Sequence, residues 1–155
     1  MRIQIFILFT VLLSACQQHS RALERNSLRN LNSDLLKLES LCIEVLTDID
    51  ETSLEDLDSI FLITGDTIWV SLKKGYSESE SRMIDLSRLI DREEDQLTQL
   101  EKGLNRRQFD REEFQSYFAK EKLNVSNLEK EINSEMNFRK ELKALKIKLR
   151  KKYQL

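Results

Sequence analysis

The chain of 155 residues contains no proline, and glycine occurs only at Gly65, Gly75 and Gly103. Proline and glycine mark most of the places where a helix must stop, because proline lacks a backbone N–H and glycine has a high conformational entropy. Their scarcity therefore favours long, uninterrupted helices. Hydrophobic residues make up 40% of the sequence, which is enough for a core. The composition predicts an all-α domain, since disorder is typical of chains with less apolar material.

Groups that carry chemistry are also few. His19 is the single histidine, so a histidine-based catalytic triad or a zinc site with several histidines lacks its ligands. Acidic pairs such as Glu93-Glu94 are adjacent in sequence and diverge around a helix, as on solvated faces. The acids between 48 and 58 lack the EF-hand order of ligands around a central glycine. We therefore expect no enzyme, no cofactor, no metal site and no small-molecule substrate.

The first sixteen residues follow the order of a secretory signal. Arg2 supplies a positive charge, an apolar run extends from Ile3 to Leu13, and the small residues Ser14 and Ala15 follow. A spanning helix needs roughly 20 apolar residues, and this run is much shorter. The pattern predicts a signal peptide that is cleaved after Ala15.

The end of this stretch, Leu13-Ser14-Ala15-Cys16, resembles the lipobox of bacterial lipoproteins. The resemblance implies that the Cys16 thiol receives diacylglycerol and that a dedicated peptidase cleaves between Ala15 and Cys16. Each buried methylene of an acyl chain such as palmitate contributes about 0.8 kcal/mol, so several chains anchor a protein firmly. The alternative is an ordinary signal peptide, in which Cys16 is a plain thiol. Leu13 fits that alternative poorly, because such sites carry a small residue three positions before the cut.

The resemblance also implies an address in the cell envelope. In enteric lipoproteins an aspartate after the cysteine retains the protein at the inner membrane, and here that residue is Gln17. The expected location is the outer membrane, with the periplasmic or surface face left open. The predicted domains are a signal peptide at 1–15, a lipidated tether at 16–22 and a helical bundle at 23–155. Without Arg2 the processed chain has 24 basic and 27 acidic residues, a formal net charge of −3.

Apolar residues recur at alternating spacings of three and four, which indicates a helix that buries one stripe against others. The first such seam consists of Leu28, Leu31, Leu35, Leu38, Cys42, Val45 and Ile49. Leu41 and Leu46 widen the stripe and favour a multi-helix bundle over a two-stranded coiled coil. This helix is expected from about residue 20 to about residue 50. With Cys16 lipidated, Cys42 has no disulfide partner within the chain and is expected in the core.

A second helix is expected from Ser53, an N-cap residue. The stretch 60–72 leaves two alternatives open, because β-branched residues flank Gly65-Asp66. A helix that is kinked at Gly65 agrees with the apolar spacing, whereas a two-residue hairpin agrees with the Gly-Asp turn signal. Trp69 is expected in the core, with anchoring at an interface as its alternative. Gly75 is expected to stop this element.

A third helix is expected to begin at Ser77 or Ser79 and to end at Gly103 and Asn105. Its seam consists of Met83, Leu86, Ile90, Leu97, Leu100 and Leu104, with Glu93 in one core position. Its length at 1.5 Å per residue is roughly 40 Å.

The capping pattern at Asp110 opens the last segment, which is expected to place Phe114, Tyr117 and Phe118 in the core. The final helix either starts afresh at Ser126 or runs on from Asp110. Short loops favour antiparallel neighbours. The predicted fold is an elongated antiparallel helical bundle of three long helices plus one or two short ones, with coiled-coil-like seams.

Charge is unevenly distributed. Between Lys37 and Lys73 there are nine acids and no basic residue. The other extreme is a basic segment near the end of the chain, which consists of Arg139, Lys140, Lys143, Lys146, Lys148, Arg150, Lys151 and Lys152. Two interpretations are open. The segments are solvated faces that pair with each other within the bundle, or the basic segment is an interaction patch for a protein, an acidic envelope polymer or anionic lipid. Nucleic acid is not expected as a partner, because the chain has no broad basic footprint.

These features lead to two functional hypotheses. The first is a membrane-anchored envelope lipoprotein that acts as a non-enzymatic protein-binding module. The second is a structural envelope spacer or scaffold that self-associates through the seam from Leu28 to Ile49. They differ in one structural respect, since a module buries this seam within its own bundle and a spacer uses it between chains.

Overall fold

The computed structural model describes the backbone of residues 2–51 and 54–154, and the side chains of residues 21–48 and 56–154. Within these residues the chain forms α-helices and no strand. The helices are α1 (Arg2–Glu51), α2 (Leu54–Thr64), α3 (Ile68–Asn105) and α4 (Arg111–Tyr153). The predicted all-α bundle of three long helices and one short helix is confirmed.

Helix α3 lies at the centre of the bundle and packs against the other three helices. Gly75 near its beginning lies against Leu142 near the end of α4. Gly103 near its end lies against Phe109, just before α4 begins. The two helices therefore run antiparallel, as the short connection between them requires.

Helices α1 and α2 follow each other along one side of this pair. Asp48, near the end of α1, forms an ion pair with Arg139 of α4. Asp56, near the beginning of α2, forms one with Arg150, three turns farther along α4. The end of α1 and the beginning of α2 thus both lie beside the second half of α4.

The apolar interior consists of two clusters. The α1 core contains residues of α1, α3 and α4, among them Leu35, Cys42, Met83, Ile90 and Ile132. The α2 core contains residues of α2, α3 and α4. They are Leu57, Ile60, Trp69, Leu72, Tyr76, Leu142 and Leu149. Fully burying one aliphatic side chain stabilises the fold by about 1.5–3 kcal/mol, so the two clusters account for the cohesion of the bundle.

The first seam is buried as predicted from Leu28 to Val45, and Cys42 is fully buried. Ile49 lies outside the residues whose side chains are described. The start of the helix was wrong, since α1 begins at Arg2 and not near residue 20. The physical reason is that neither proline nor glycine interrupts residues 2–51, so nothing in the backbone stops the helix.

The stretch 60–72 contains two helices and a sharp turn, so the hairpin alternative and the single kinked helix were both wrong. Gly65 has a φ of +68°, which side chains other than glycine rarely adopt. Its N–H donates to the carbonyl oxygen of Phe61 at 2.8 Å and closes α2. The carboxylate of Asp66 accepts from the N–H of Ile68 at 3.0 Å and opens α3. The residues on both sides of this turn are therefore helical.

Gly75 does not stop a helix, and α3 does not begin at Ser77 or Ser79. Helix α3 runs through all three residues. A Cβ atom at position 75 would lie 3.0 Å from a methyl carbon of Leu142. This glycine therefore permits the close approach of α3 and α4 and does not terminate the helix.

The connection from α3 to α4 agrees better with the prediction from the sequence. Helix α3 ends at Asn105, as expected, and the side chains of Asp110 and Glu113 form a complete capping box at the start of α4. Helix α4 is continuous, so the alternative of a fresh start at Ser126 was wrong. Phe114 is buried, but Tyr117 is 50% exposed and does not fill the core as predicted.

Candidate functional site

The predicted lipidation and cleavage residues, Ala15 and Cys16, lie in α1. Their side chains are outside the described residues, so the lipid anchor stays a prediction. Among the described residues, no helix has an apolar stretch long enough to cross a membrane.

The acidic and basic segments face each other in the bundle. The carboxylate of Asp48 accepts from Lys143 at 2.5 Å and from Arg139 at 3.4 Å. Farther along the same side there are ion pairs between Asp56 and Arg150 at 3.9 Å and between Asp66 and Lys152 at 3.7 Å. The interpretation that the two segments pair within the bundle is the one these contacts support.

Asp66 accepts hydrogen bonds from two different parts of the chain. The hydroxyl of Tyr153 donates to its carboxylate, and so does the backbone N–H of Ile68. These hydrogen bonds lower the pKa of Asp66, with a smaller contribution from the charge of Lys152. The contact ties the end of α4 to the turn between α2 and α3.

The remaining members of the predicted interaction patch differ in exposure. Lys140, Lys148 and Lys151 are exposed to solvent. Lys146 is half-buried, and its desolvation, followed by the charge of Arg150, lowers its pKa. The surface of this segment that faces solvent is therefore smaller than the run of basic residues implies.

Arg139 lies inside the bundle, although it was predicted as part of the patch. Its side chain is 3% exposed. It lies at the level where α1 gives way to α2, and its Nη2 atom donates to Asp48 over 3.4 Å. Its Nε and Nη1 atoms are buried and have no hydrogen-bond partner among the described residues. Desolvation lowers the pKa of Arg139, and the charge of Asp48 opposes this effect.

Two hydroxyl groups of α3 share this polar layer. Tyr76 is fully buried, and its ring centroid lies 5.6 Å from the Cζ atom of Arg139. Ser79, one helical turn later, is also fully buried. Neither hydroxyl has a hydrogen-bond partner in the part of the chain that is described. Burial raises the pKa of Tyr76, so the hydroxyl keeps its proton.

A groove of about 460 Å³ opens beside this layer, between the end of α1 and α4. Its walls carry three cationic side chains and two acidic ones, which are Arg139, Lys140, Lys143, Glu44 and Asp48. The apolar side chains of Val45 and Met136 contribute to the lining. The groove therefore has a small excess of positive charge and a buried guanidinium in its wall.

A second polar layer lies deeper in the α1 core. Glu93 of α3 and Glu121 of α4 are 4% and 6% exposed. The Nδ2 atom of Asn124 donates to both carboxyl groups over 3.2–3.3 Å. Burial raises the pKa of Glu121, and its hydrogen bond to Glu93 and the charge of Glu93 add to this. Gln96 with its amide rotated also donates to Glu121, at 3.0 Å.

Glu121 lines a shallow cavity of about 330 Å³ between α3 and α4. Leu100, Phe109 and Tyr117 form its apolar part, and the rings of Phe109 and Tyr117 have centroids 5.4 Å apart. Among the residues with described side chains, no group of three or more His, Cys, Asp or Glu converges as a metal site does.

Cys42 lies in the α1 core without a disulfide partner among the described residues. Burial raises the pKa of its thiol to about 11. Its predicted place in the core is confirmed, and its thiol is protonated at neutral pH.

Of the residues in the polar layers, only Glu93 is predicted in a core position from the sequence, although a signal for the others exists. The three-and-four spacing of α3 does not begin at Met83 but extends back through Ser79, Tyr76 and Leu72 to Trp69. The same spacing along α4 passes through Glu121, Glu135 and Arg139. Extending the α3 seam past Gly75 and following the α4 seam over its full length places these polar residues in the core.

Comparison of the chain with protein-family models, with curated proteins and with solved structures gave no match. The functional argument therefore depends on the residues and their geometry.

Proposed function

We propose that this chain is a lipid-anchored envelope protein, held at the outer membrane through acyl chains on Cys16, and that it acts as a non-enzymatic protein-binding module. The signal-like residues 1–15 and the lipobox-like Leu13-Ser14-Ala15-Cys16 support the anchor. Gln17 supports the outer membrane over the inner membrane. A helical body tethered in this way presents its surface to envelope partners without crossing the bilayer.

The burial of the first seam supports a binding module over a self-associating spacer. Leu28, Leu35 and Cys42 are at most 4% exposed, because α3 and α4 of the same chain cover them. A spacer that self-associates through this seam would have to open the bundle and expose the α1 core. Each core side chain that is exposed costs about 1.5–3 kcal/mol, so opening the bundle in this way is strongly unfavourable.

Metabolic labelling with palmitate tests the anchor. We expect the label to enter the wild-type protein and to be lost from the Cys16→Ser variant. The Cys42→Ser variant is the matched control and should keep the label, since it removes the other cysteine of the chain. Absence of label in the wild type, or equal labelling after Cys16→Ser, would contradict the anchor.

Site-directed photocrosslinking in cells tests the binding function. A crosslinker at Lys140, Lys148 or Lys151 should capture a discrete protein partner, because these side chains are exposed on the basic segment. Lys122, exposed on the first half of the same helix, is the control position. Capture only of a second copy of the chain would favour the spacer, and equal capture from Lys122 would remove the basic segment from the interaction.

A further inference from the structure

The buried guanidinium of Arg139 has fewer acceptors than its chemistry requires. A guanidinium group carries five N–H donors and no acceptor. In the described structure its one hydrogen bond is the 3.4 Å contact to Asp48, and Asp48 lies closer to Lys143, at 2.5 Å. Buried polar groups in folded proteins almost always have a partner, so this deficit indicates that an acceptor comes from outside the chain.

The neighbouring groups share the same deficit. The hydroxyl groups of Tyr76 and Ser79 are buried without a described partner, and both are able to donate a hydrogen bond. The Tyr76 ring lies 5.6 Å from the Arg139 guanidinium. Together the three side chains provide donors in one layer, and the described chain supplies no acceptor for them except Asp48.

The groove between α1 and α4 reaches this layer at Arg139, whereas Tyr76 and Ser79 lie outside its lining. Arg139 forms part of its wall, and the exposed Lys140 lies at its opening. Three cations and two carboxylates line it, so its formal net charge is +1. A group with one negative charge balances the groove, whereas a phosphate with two charges would also face Glu44 and Asp48 at short range. The charge balance therefore favours a singly charged anion, and the carboxylate of an acidic side chain is the one that a protein partner supplies.

We propose that this groove binds the carboxylate of an acidic side chain of a partner polypeptide, with Arg139 as the buried contact and Lys140 as the outer one. The preference for a singly charged anion follows from the charges of the groove. The carboxylate of a polypeptide as its source depends on the proposed protein-binding function, and the lipid anchor plays no part in it.

Binding is measured by nuclear magnetic resonance on the full chain in detergent micelles, with the backbone amide resonances of the groove residues Val45 and Lys143 as reporters, because all variants retain them. The probe is N-acetyl-Gly-Glu-Gly-amide, and the matched neutral probe is N-acetyl-Gly-Gln-Gly-amide. Sodium acetate and inorganic phosphate are titrated in parallel at constant ionic strength, because screening changes all charged contacts. We expect a saturable shift with the Glu peptide and none with the Gln peptide.

Three variants locate the site. Arg139→Met should weaken binding of the Glu peptide at least tenfold. Lys140→Met, which removes the exposed outer contact, should weaken it two- to fivefold and decides the matter if Arg139→Met does not fold. Lys148→Met removes an exposed charge of the same helix outside the groove and should leave the affinity unchanged.

The outcomes are distinct. No saturable shift with any probe would show that water satisfies the buried donors and would overturn the proposal. Tighter binding of phosphate, or binding of acetate without the peptide, would overturn the choice of an acidic polypeptide. Unchanged affinity in both Arg139→Met and Lys140→Met would place the contact elsewhere. Failure of palmitate labelling leaves this titration unaffected, so the two proposals fail separately.

Discussion

Replacing Arg139 by methionine should stabilise the protein. The substitution removes a 3.4 Å hydrogen bond to Asp48, which is long for a charged pair and worth about 1 kcal/mol, and a desolvated cation–π contact with Tyr76 worth about 2 kcal/mol. It also removes two buried nitrogen atoms that have no described partner, and each such group costs about 1–3 kcal/mol, or about 4 kcal/mol for the two. Asp48 keeps its contact with Lys143, so its carboxylate still has a cationic partner. The balance favours the variant by about 1 kcal/mol, because the two unsatisfied donors outweigh the contacts that are lost.

The matched control is Arg82→Met, which makes the same chemical change in the same bundle. Arg82 donates to both carboxylate oxygens of Glu135, at 2.6 and 3.2 Å, and the Glu135 side chain is only 8% exposed. Removing Arg82 leaves this buried carboxylate without its partner, so the control should lose about 1–3 kcal/mol. The two substitutions should therefore change the free energy of unfolding in opposite directions.

Urea unfolding, followed by the helical circular dichroism signal, measures both effects. A typical m-value is about 1–3 kcal/mol per M, so a change of about 2 kcal/mol moves the midpoint by about 1 M. The m-value itself should stay constant if only stability changes. A loss of more than about 1 kcal/mol in Arg139→Met would refute the reasoning, because it would mean that the guanidinium is already well satisfied in solution.

The remaining predictions concern the α1 core. Because the pKa of Glu121 is raised from its ordinary value near 4.5 in the folded state, its contribution to stability is present below that value and is lost as the pH rises through the folded-state pKa. The free energy of unfolding should therefore fall as the pH rises through this window. Glu121→Gln should flatten this dependence of stability on pH. If the dependence in Glu121→Gln is the same as in the wild type, burial of the Glu121 carboxyl is excluded. Leu35→Ala should cost about 2–5 kcal/mol in urea unfolding, since Leu35 is 1% exposed. Its neighbour Leu36 is 47% exposed, and Leu36→Ala should change stability by less than about 0.5 kcal/mol; equal effects would contradict the assignment of the seam.

Much of the fold follows from local patterns. The seam from Leu28 to Val45 is buried because alternating spacings of three and four place its residues on one face of a helix. The capping box at Asp110 forms because its side chain and that of Glu113 satisfy backbone N–H groups within one turn. Both signals lie within a few residues and need no knowledge of the rest of the chain.

The errors arise where a local signal competes with a distant contact. Gly75 is a plausible helix stop in isolation, but Leu142, far along the chain, makes it a packing position. Tyr117 was assigned to the core for its aromatic ring, yet it is half exposed, because the apolar face of α4 passes through Phe114 and Phe118 instead. For the basic segment the sequence left pairing within the bundle and an interaction patch open, and the contacts of Asp48 and Asp56 that support pairing depend on where α1 and α2 lie.

The sequence by itself determined that this chain is helical, that its helices are long, and that they carry apolar seams, because these properties depend on backbone propensity and on spacing along one helix. It also supplies the N-terminal pattern on which the proposed anchor depends. The tertiary structure alone decided which charges meet and which buried polar groups find a partner, since both depend on how α1, α2 and α4 are placed around α3. Arg139 illustrates the difference: its position in the seam can be read from its spacing, but its unsatisfied donors and the groove beside it exist only after the helices have packed.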